Sequence, residues 1–179
     1  MFQSAAVFCG SKPGSDPLFS QHAAALGALL AQHKITLVYG GGNTGLMGTV
    51  ANAALENEGN VIGVMPKSLV EREFKHDRLT QLHIVEDMHT RKKMMYSLCD
   101  AAIILPGGYG TLDEVIEMMA WNSLSIHDKK VILLNSAGFY DPFVQQISIM
   151  KEKGFLYGDP AHAFTVVDTP EAIFNGWLS

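Results

Sequence analysis

Ala101-Ala102-Ile103-Ile104-Leu105-Pro106-Gly107-Gly108-Tyr109-Gly110-Thr111-Leu112-Asp113-Glu114-Val115-Ile116-Glu117-Met118-Met119-Ala120-Trp121 carries the strongest structural signal in this chain. Its first five residues are apolar without alternation, as in a strand buried on both faces. From Val115 onward the apolar residues recur as on a helix. A glycine-rich turn between a strand and a helix start leaves bare backbone N–H groups where an anion can dock, with the positive end of the helix dipole behind them. Glu114, in the first helical turn of this reading, then faces whatever that anion is attached to.

Short apolar runs alternate with amphipathic segments on both sides of this unit. Residues 5–9, 36–39, 61–65, 82–85, 101–105, 131–134 and 163–167 read as strands, and about 17–33, 46–58, 88–99, 112–124, 141–153 and 170–177 as helices. Such alternation implies right-handed βαβ crossovers. The expected fold is α/β: a single domain over residues 1–179, built on one doubly wound parallel sheet of Rossmann-like type with helices on both faces. Ligands of such sheets bind beyond the carboxyl ends of the strands. Three loops that should open there are rich in glycine and hydroxyl groups: Cys9-Gly10-Ser11-Lys12-Pro13-Gly14, Gly40-Gly41-Gly42-Asn43-Thr44-Gly45, and the 106–111 turn. Their convergence points to a phosphorylated ligand. The charged segment 66–81 reads as a loop or short helix over the site.

Gly40-x-Gly42-x-x-Gly45 matches the dinucleotide fingerprint in form, but it follows the second strand, and the next strand ends in Val64-Met65-Pro66 with no acid for a ribose hydroxyl. No Gly-Lys-Ser/Thr follows the glycines, which excludes a P-loop. The alternative for these glycines is purely structural, a tight turn with close helix–sheet packing. Thr111-x-x-Glu114 also fits a capping box, so spacing leaves Glu114 divided between capping and catalysis. Asp113 suits the helix dipole as a surface acid. Arg91 and Lys92 lie one turn into a helix starting near Asp87 or Met88, whose N-terminal end should sit beside the glycine edge. There a guanidinium can grip a carboxylate or phosphate through two hydrogen bonds, the alternative being a solvated basic face. The seven histidines show no metal-ligand spacing, and no Ser–His–Asp set can be placed. The Met-Met pairs at 94–95 and 118–119 read as core or interface filler.

At 179 residues, 47% apolar and 17% charged, the chain can bury a sizeable core. A net charge of −5, with Lys and Arg scattered apart from Arg91-Lys92-Lys93, argues against binding a nucleic-acid polymer. The first residues lack a signal-peptide pattern and no apolar run approaches the roughly 18 residues of a membrane span. Cys9 and Cys99 read as free, buried thiols in a reducing compartment. The expectation is a soluble cytoplasmic protein that does not engage a membrane.

Met88-His89-Thr90-Arg91-Lys92 together with 106–114 resembles the signature of the LONELY GUY (LOG) family, the cytokinin riboside 5′-monophosphate phosphoribohydrolases often labelled "lysine decarboxylase". Val7–Ser11, Tyr39–Gly48 and Ile126–Lys129 are also similar to family segments, so the likeness runs from about residue 5 to 155. It implies hydrolysis of the N-glycosidic bond of AMP or an N6-modified AMP to free base and ribose 5-phosphate. It implies Arg91 and Glu114 as the catalytic pair. Substrate binding falls to Glu73, Lys92, Gly108, Tyr109, Gly110, Thr111, Leu112 and Asp113. It implies at least a homodimer, with the site near the interface. Asp113 and Ala120 depart from the family pattern, where Glu and Thr are common; neither touches the catalytic pair, and Ala120 leaves base preference open. Neither a cofactor nor a metal is called for: the chain is short for a pyridoxal-phosphate decarboxylase, and no lysine sits in the glycine edge to form a Schiff base. A nucleotide-binding module without catalysis is the competing reading.

Overall fold

The computed structural model describes residues 2–70 and 75–175. Among them, seven strands form one parallel sheet: β1 (Ser4–Phe8), β2 (Thr36–Tyr39), β3 (Val61–Pro66), β4 (Gln81–Val85), β5 (Ala101–Ile104), β6 (Lys130–Leu134) and β7 (Thr165–Val167). Six helices connect or follow them: α1 (Pro17–Gln32), α2 (Gly45–Glu56), α3 (Met88–Ser97), α4 (Tyr109–Ser123), α5 (Asp141–Glu152) and α6 (Pro170–Asn175). The strand order is β4-β3-β2-β1-β5-β6-β7. The chain winds outward from β1 to β4, then returns to the other side of β1 and winds the opposite way. The order therefore reverses between β1 and β5, and adjoining loops must diverge there to leave a crevice.

The doubly wound α/β expectation holds, and the period-two pattern of the central strands shows why. In β1 and the residue after it, Ala5, Val7 and Cys9 join the core beneath α1, α2 and α6, while Ala6 and Phe8 join the core beneath α3, α4 and α5. β5 divides in the same way, with Ile103 on the first face and Ala102 and Ile104 on the second. Both faces are apolar because both are covered by helices. Small residues let α1 and α2 pack closely: Gly27 is buried, and a Cβ there would run into the Val50 carbonyl oxygen and come 3.0 Å from Ala53 Cβ.

Side-chain caps set two helix starts. Asp16 Oδ1 accepts from the Leu18 N–H at 2.9 Å, with Pro17 opening α1, and Asp87 Oδ1 accepts from the Thr90 N–H at 2.8 Å at α3. Boundaries differ from expectation at β7, which starts two residues later because a 3₁₀ turn at Pro160–His162 precedes it. They differ more consequentially at α4, which starts at Tyr109 and not at Leu112. Residues 176–177 of the expected last helix lie outside the described residues.

Candidate active site

Parallel β1, β2 and β5 are neighbours, so the loops leaving their carboxyl ends must meet. They do. The Gly10 N–H donates to the Pro106 carbonyl at 3.0 Å, and the Gly10 carbonyl accepts from the Leu46 N–H at 3.1 Å, joining all three glycine loops. Gly45, at φ 54, sits where a Cβ would run into the Ser11 backbone, and one on Gly107 would run into the Thr111 side chain. At these positions the tight-turn explanation is right. Gly108 and Gly110 are different. Neither has positive φ, and a Cβ on either would meet nothing within 4 Å. Neither neighbouring atoms nor a left-handed backbone calls for glycine at these two positions.

The α4 start removes the capping-box reading of Glu114. Gly108 is the N-cap, the Leu112 N–H closes the first turn on the Gly108 carbonyl at 3.1 Å, and no side chain caps the helix. Thr111 thus stands at the third helical position, not at the cap, and Glu114 comes a full turn too late to reach back. Each helix opens with N–H groups that have no intrahelical acceptor. Here those are the amides of Gly108, Tyr109, Gly110 and Thr111, at the positive end of the dipole. Glu114 itself is buried, at 8% exposure, in the second turn of the same helix.

Arg91 reaches the glycine edge from α3. Its side chain is buried, and one guanidinium nitrogen, Nη2, occupies the space a Cβ on Gly40 would need. Nη1 lies 3.7 Å from Met88 Sδ, and Nε is buried without a hydrogen-bond partner among the described residues. Cys9, the residue after β1, feels the charge of both groups. Burial pushes its thiol far up, the Glu114 carboxylate pushes it further, and the Arg91 guanidinium opposes them. Cys9 and Cys99 are both free and buried, and the raised Cys9 keeps its thiol protonated and unreactive. Tyr39, at the end of β2, is fully buried with its hydroxyl unpartnered among the described residues.

Lys92 follows Arg91 on α3 and pairs with acids of α4. Its ammonium lies 3.0 Å from Asp113 Oδ2 and 2.5 Å from Glu117 Oε2. Burial lowers its pKa, but the hydrogen bonds to Glu117 and Asp113 outweigh that and raise it, so the charge is permanent. Glu117 Oε2 also accepts from the Tyr96 hydroxyl at 3.1 Å. Sequence reasoning did not single out Glu117, since its pairing spans two helices and leaves no local pattern. Among the other expected residues, Tyr109 is 94% exposed at the mouth and Leu112 packs half-buried on the α3–α4 core. Glu73 lies outside the described residues. The flanking segment does return to the rim, with the His76 N–H donating to the Gly41 carbonyl at 2.9 Å and Lys75 bridging Gly42. Among the described residues no group of three His, Cys, Asp or Glu side chains is arranged to hold a metal ion.

A family described as "Possible lysine decarboxylase" matches residues 47–176. The cytokinin riboside 5′-monophosphate phosphoribohydrolase of Rhodococcoides fascians is 45% identical over 155 residues, 86% of this chain and 78% of that protein. The chain belongs to the LOG family. A second LOG relative, cytokinin riboside 5′-monophosphate phosphoribohydrolase LOG1 of Arabidopsis thaliana, is 42% identical over 171 residues, 96% of this chain and 79% of its own length. Solved structures share the LOG fold at low identity. A molybdenum cofactor binding protein from Rippkaea orientalis has a TM-score of 0.73 at 21% identity, over 100% of this chain and 99% of that one. The molybdenum cofactor carrier protein of Chlamydomonas reinhardtii gives 0.73 at 19%, over 98% and 96%. At such identities the likeness is one of fold alone.

Proposed function

We propose that this chain hydrolyses the N-glycosidic bond of a nucleoside 5′-monophosphate, AMP or an N6-modified AMP, to free base and ribose 5-phosphate. One observation carries the reading: the open amides of Gly108–Thr111, where a Cβ on Gly108 or Gly110 would meet nothing of the protein, begin the helix whose second turn carries the buried Glu114. The amides hold the 5′-phosphate, and this remote binding energy positions the sugar. Breaking a bond at C1′ builds positive charge on the sugar, as in glycoside hydrolysis, so a carboxylate facing C1′ lowers the barrier. Glu114 supplies it, orienting and deprotonating the attacking water. Arg91 anchors substrate or carboxylate through a guanidinium that packing against Gly40 holds in place, which fixes the charges before reaction begins. Glu73 is proposed as a further nucleotide contact, and Tyr109, Leu112 and Asp113 as the wall of the cradle. The names of the family relatives support the same reaction.

The protein acts as a homodimer in this reading. The support is the apolar outer face of α4, where Ile116, Met119 and Ala120 adjoin Phe155 and Tyr157, the last two 77% and 96% exposed. Val115, Met118 and Met95 are by contrast wholly inside the core and are not available for contact. Among the described residues no helix is long and apolar enough to cross a membrane. The test is incubation of the purified protein with AMP and with N6-prenylated AMP, followed by chromatography. The reading expects base and ribose 5-phosphate in equal amounts; nucleotide that is bound but returned intact leaves only a binding module.

A further inference from the structure

Lys92 and its partners occupy a particular place relative to the reacting pair. On α3, Lys92 directly follows Arg91; on α4, Asp113 directly precedes Glu114 and Glu117 follows it by almost one turn. The ammonium therefore grips the two acids that bracket Glu114. It lies largely inside, with the side chains of Lys92 and Glu117 only 12% and 22% exposed. The cluster is also walled in by aromatic rings: Tyr96, which donates to Glu117, stands edge-on to Trp121 at 5.3 Å and to Phe8 at 6.0 Å between ring centroids. Two of the ammonium's three N–H donors are taken up by carboxylates. A lysine joining two helices beside their functional residues can fix the rotation and advance of one helix against the other.

Resting on the function proposed above, we infer that Lys92 and Glu117 are positioning residues, an inter-helix brace that sets Arg91 and Glu114 at their working separation. Displacing a reacting group by about an ångström can cost on the order of 10²-fold in rate, so a brace of this kind shows itself in turnover. A direct ligand contact shows itself in binding. The two residues act as one unit, so their losses overlap instead of adding.

The experiment is steady-state hydrolysis of AMP by wild type, Lys92→Gln, Glu117→Gln and the double variant, with ribose 5-phosphate as competitive inhibitor and folded fraction measured by circular dichroism. Expected for each single variant is a fall in kcat of about tenfold or more, with KM and the ribose 5-phosphate inhibition constant within about threefold of wild type. The double variant should fall no further than the worse single one, while Lys151→Gln, in an exposed pair on α5, stays at the wild-type rate. A tenfold weaker inhibition constant in Lys92→Gln alone, beside a normal Glu117→Gln, would make Lys92 a phosphate ligand and overturn the brace. So would variants that melt earlier yet turn over normally per folded molecule. Wild type that releases no base overturns the function as well, which separates that failure from the other two.

Discussion

Glycine at 107 and glycine at 108 look alike in the sequence and have different causes. Gly107 is required by its own neighbours, because a Cβ would strike Thr111 and lie 2.9 Å from the Gly10 nitrogen. Gly108 and Gly110 face open space, and under the proposed function a bound phosphate is what favours glycine there. That distinction makes a residue-scale prediction. Gly110→Ala puts a methyl group on the approach to the amides without touching the fold. Its KM for AMP should rise about tenfold or more, kcat changing less, since a clash with bound phosphate acts on uniform binding. The melting temperature should hold or rise, because alanine is favoured over glycine inside a helix by up to about 1 kcal/mol. An unchanged KM would remove the phosphate from this cradle. None of this was legible from composition, since a glycine-rich string does not say which of its members the chain itself needs.

At the scale of elements, α4 shows where sequence patterns mislead. Thr111-x-x-Glu114 obeys the capping-box spacing, but the chain turns into the helix three residues earlier, as soon as Gly108 can offer its carbonyl to Leu112. Spacing is blind to that choice because the cap has no side chain to display. Strands were easier: β2 is Thr36–Tyr39 as its apolar run suggested, since burial on both faces leaves few other options. The α1–α2 contact offers a test of packing. Gly27→Ala drives a Cβ into the Val50 carbonyl, which backbone cannot readily yield, so the helices must separate. A loss of about 1–3 kcal/mol is expected by urea denaturation, net of alanine's better helix propensity. A gain in stability would mean the two helices are not held this close.

For the molecule as a whole, the reversal of strand order between β1 and β5 decides where chemistry can sit, and alternating apolar runs made that sheet legible in advance. The links across its rim were not, because they join residues distant in sequence. His76 is one. Its Nδ1 accepts from the Arg78 N–H at 3.1 Å, which assigns the proton to Nε2, 3.2 Å from Asn52 Oδ1 on α2. Burial, then the Arg78 charge, holds its pKa below the ordinary 6.5, against a smaller pull from Asp77. The unfolded chain therefore takes up this proton first. The stabilisation is complete above about pH 6.5 and is lost as pH falls through that value toward the lower folded one. His127, lowered chiefly by burial, adds the same sign. The urea midpoint should fall between pH 7.5 and 5.5, and less steeply in His76→Gln; an identical slope would show that His76 titrates normally. The central claim is that the Glu114 carboxylate drives hydrolysis of a nucleotide held by the α4 amides. Adenine released from AMP by wild type and by Glu114→Gln, measured side by side under saturating substrate, tests it most directly. Wild type should release adenine and the variant should lose on the order of 10²-fold or more with nucleotide still bound; equal rates from the two proteins would take Glu114 out of the chemistry.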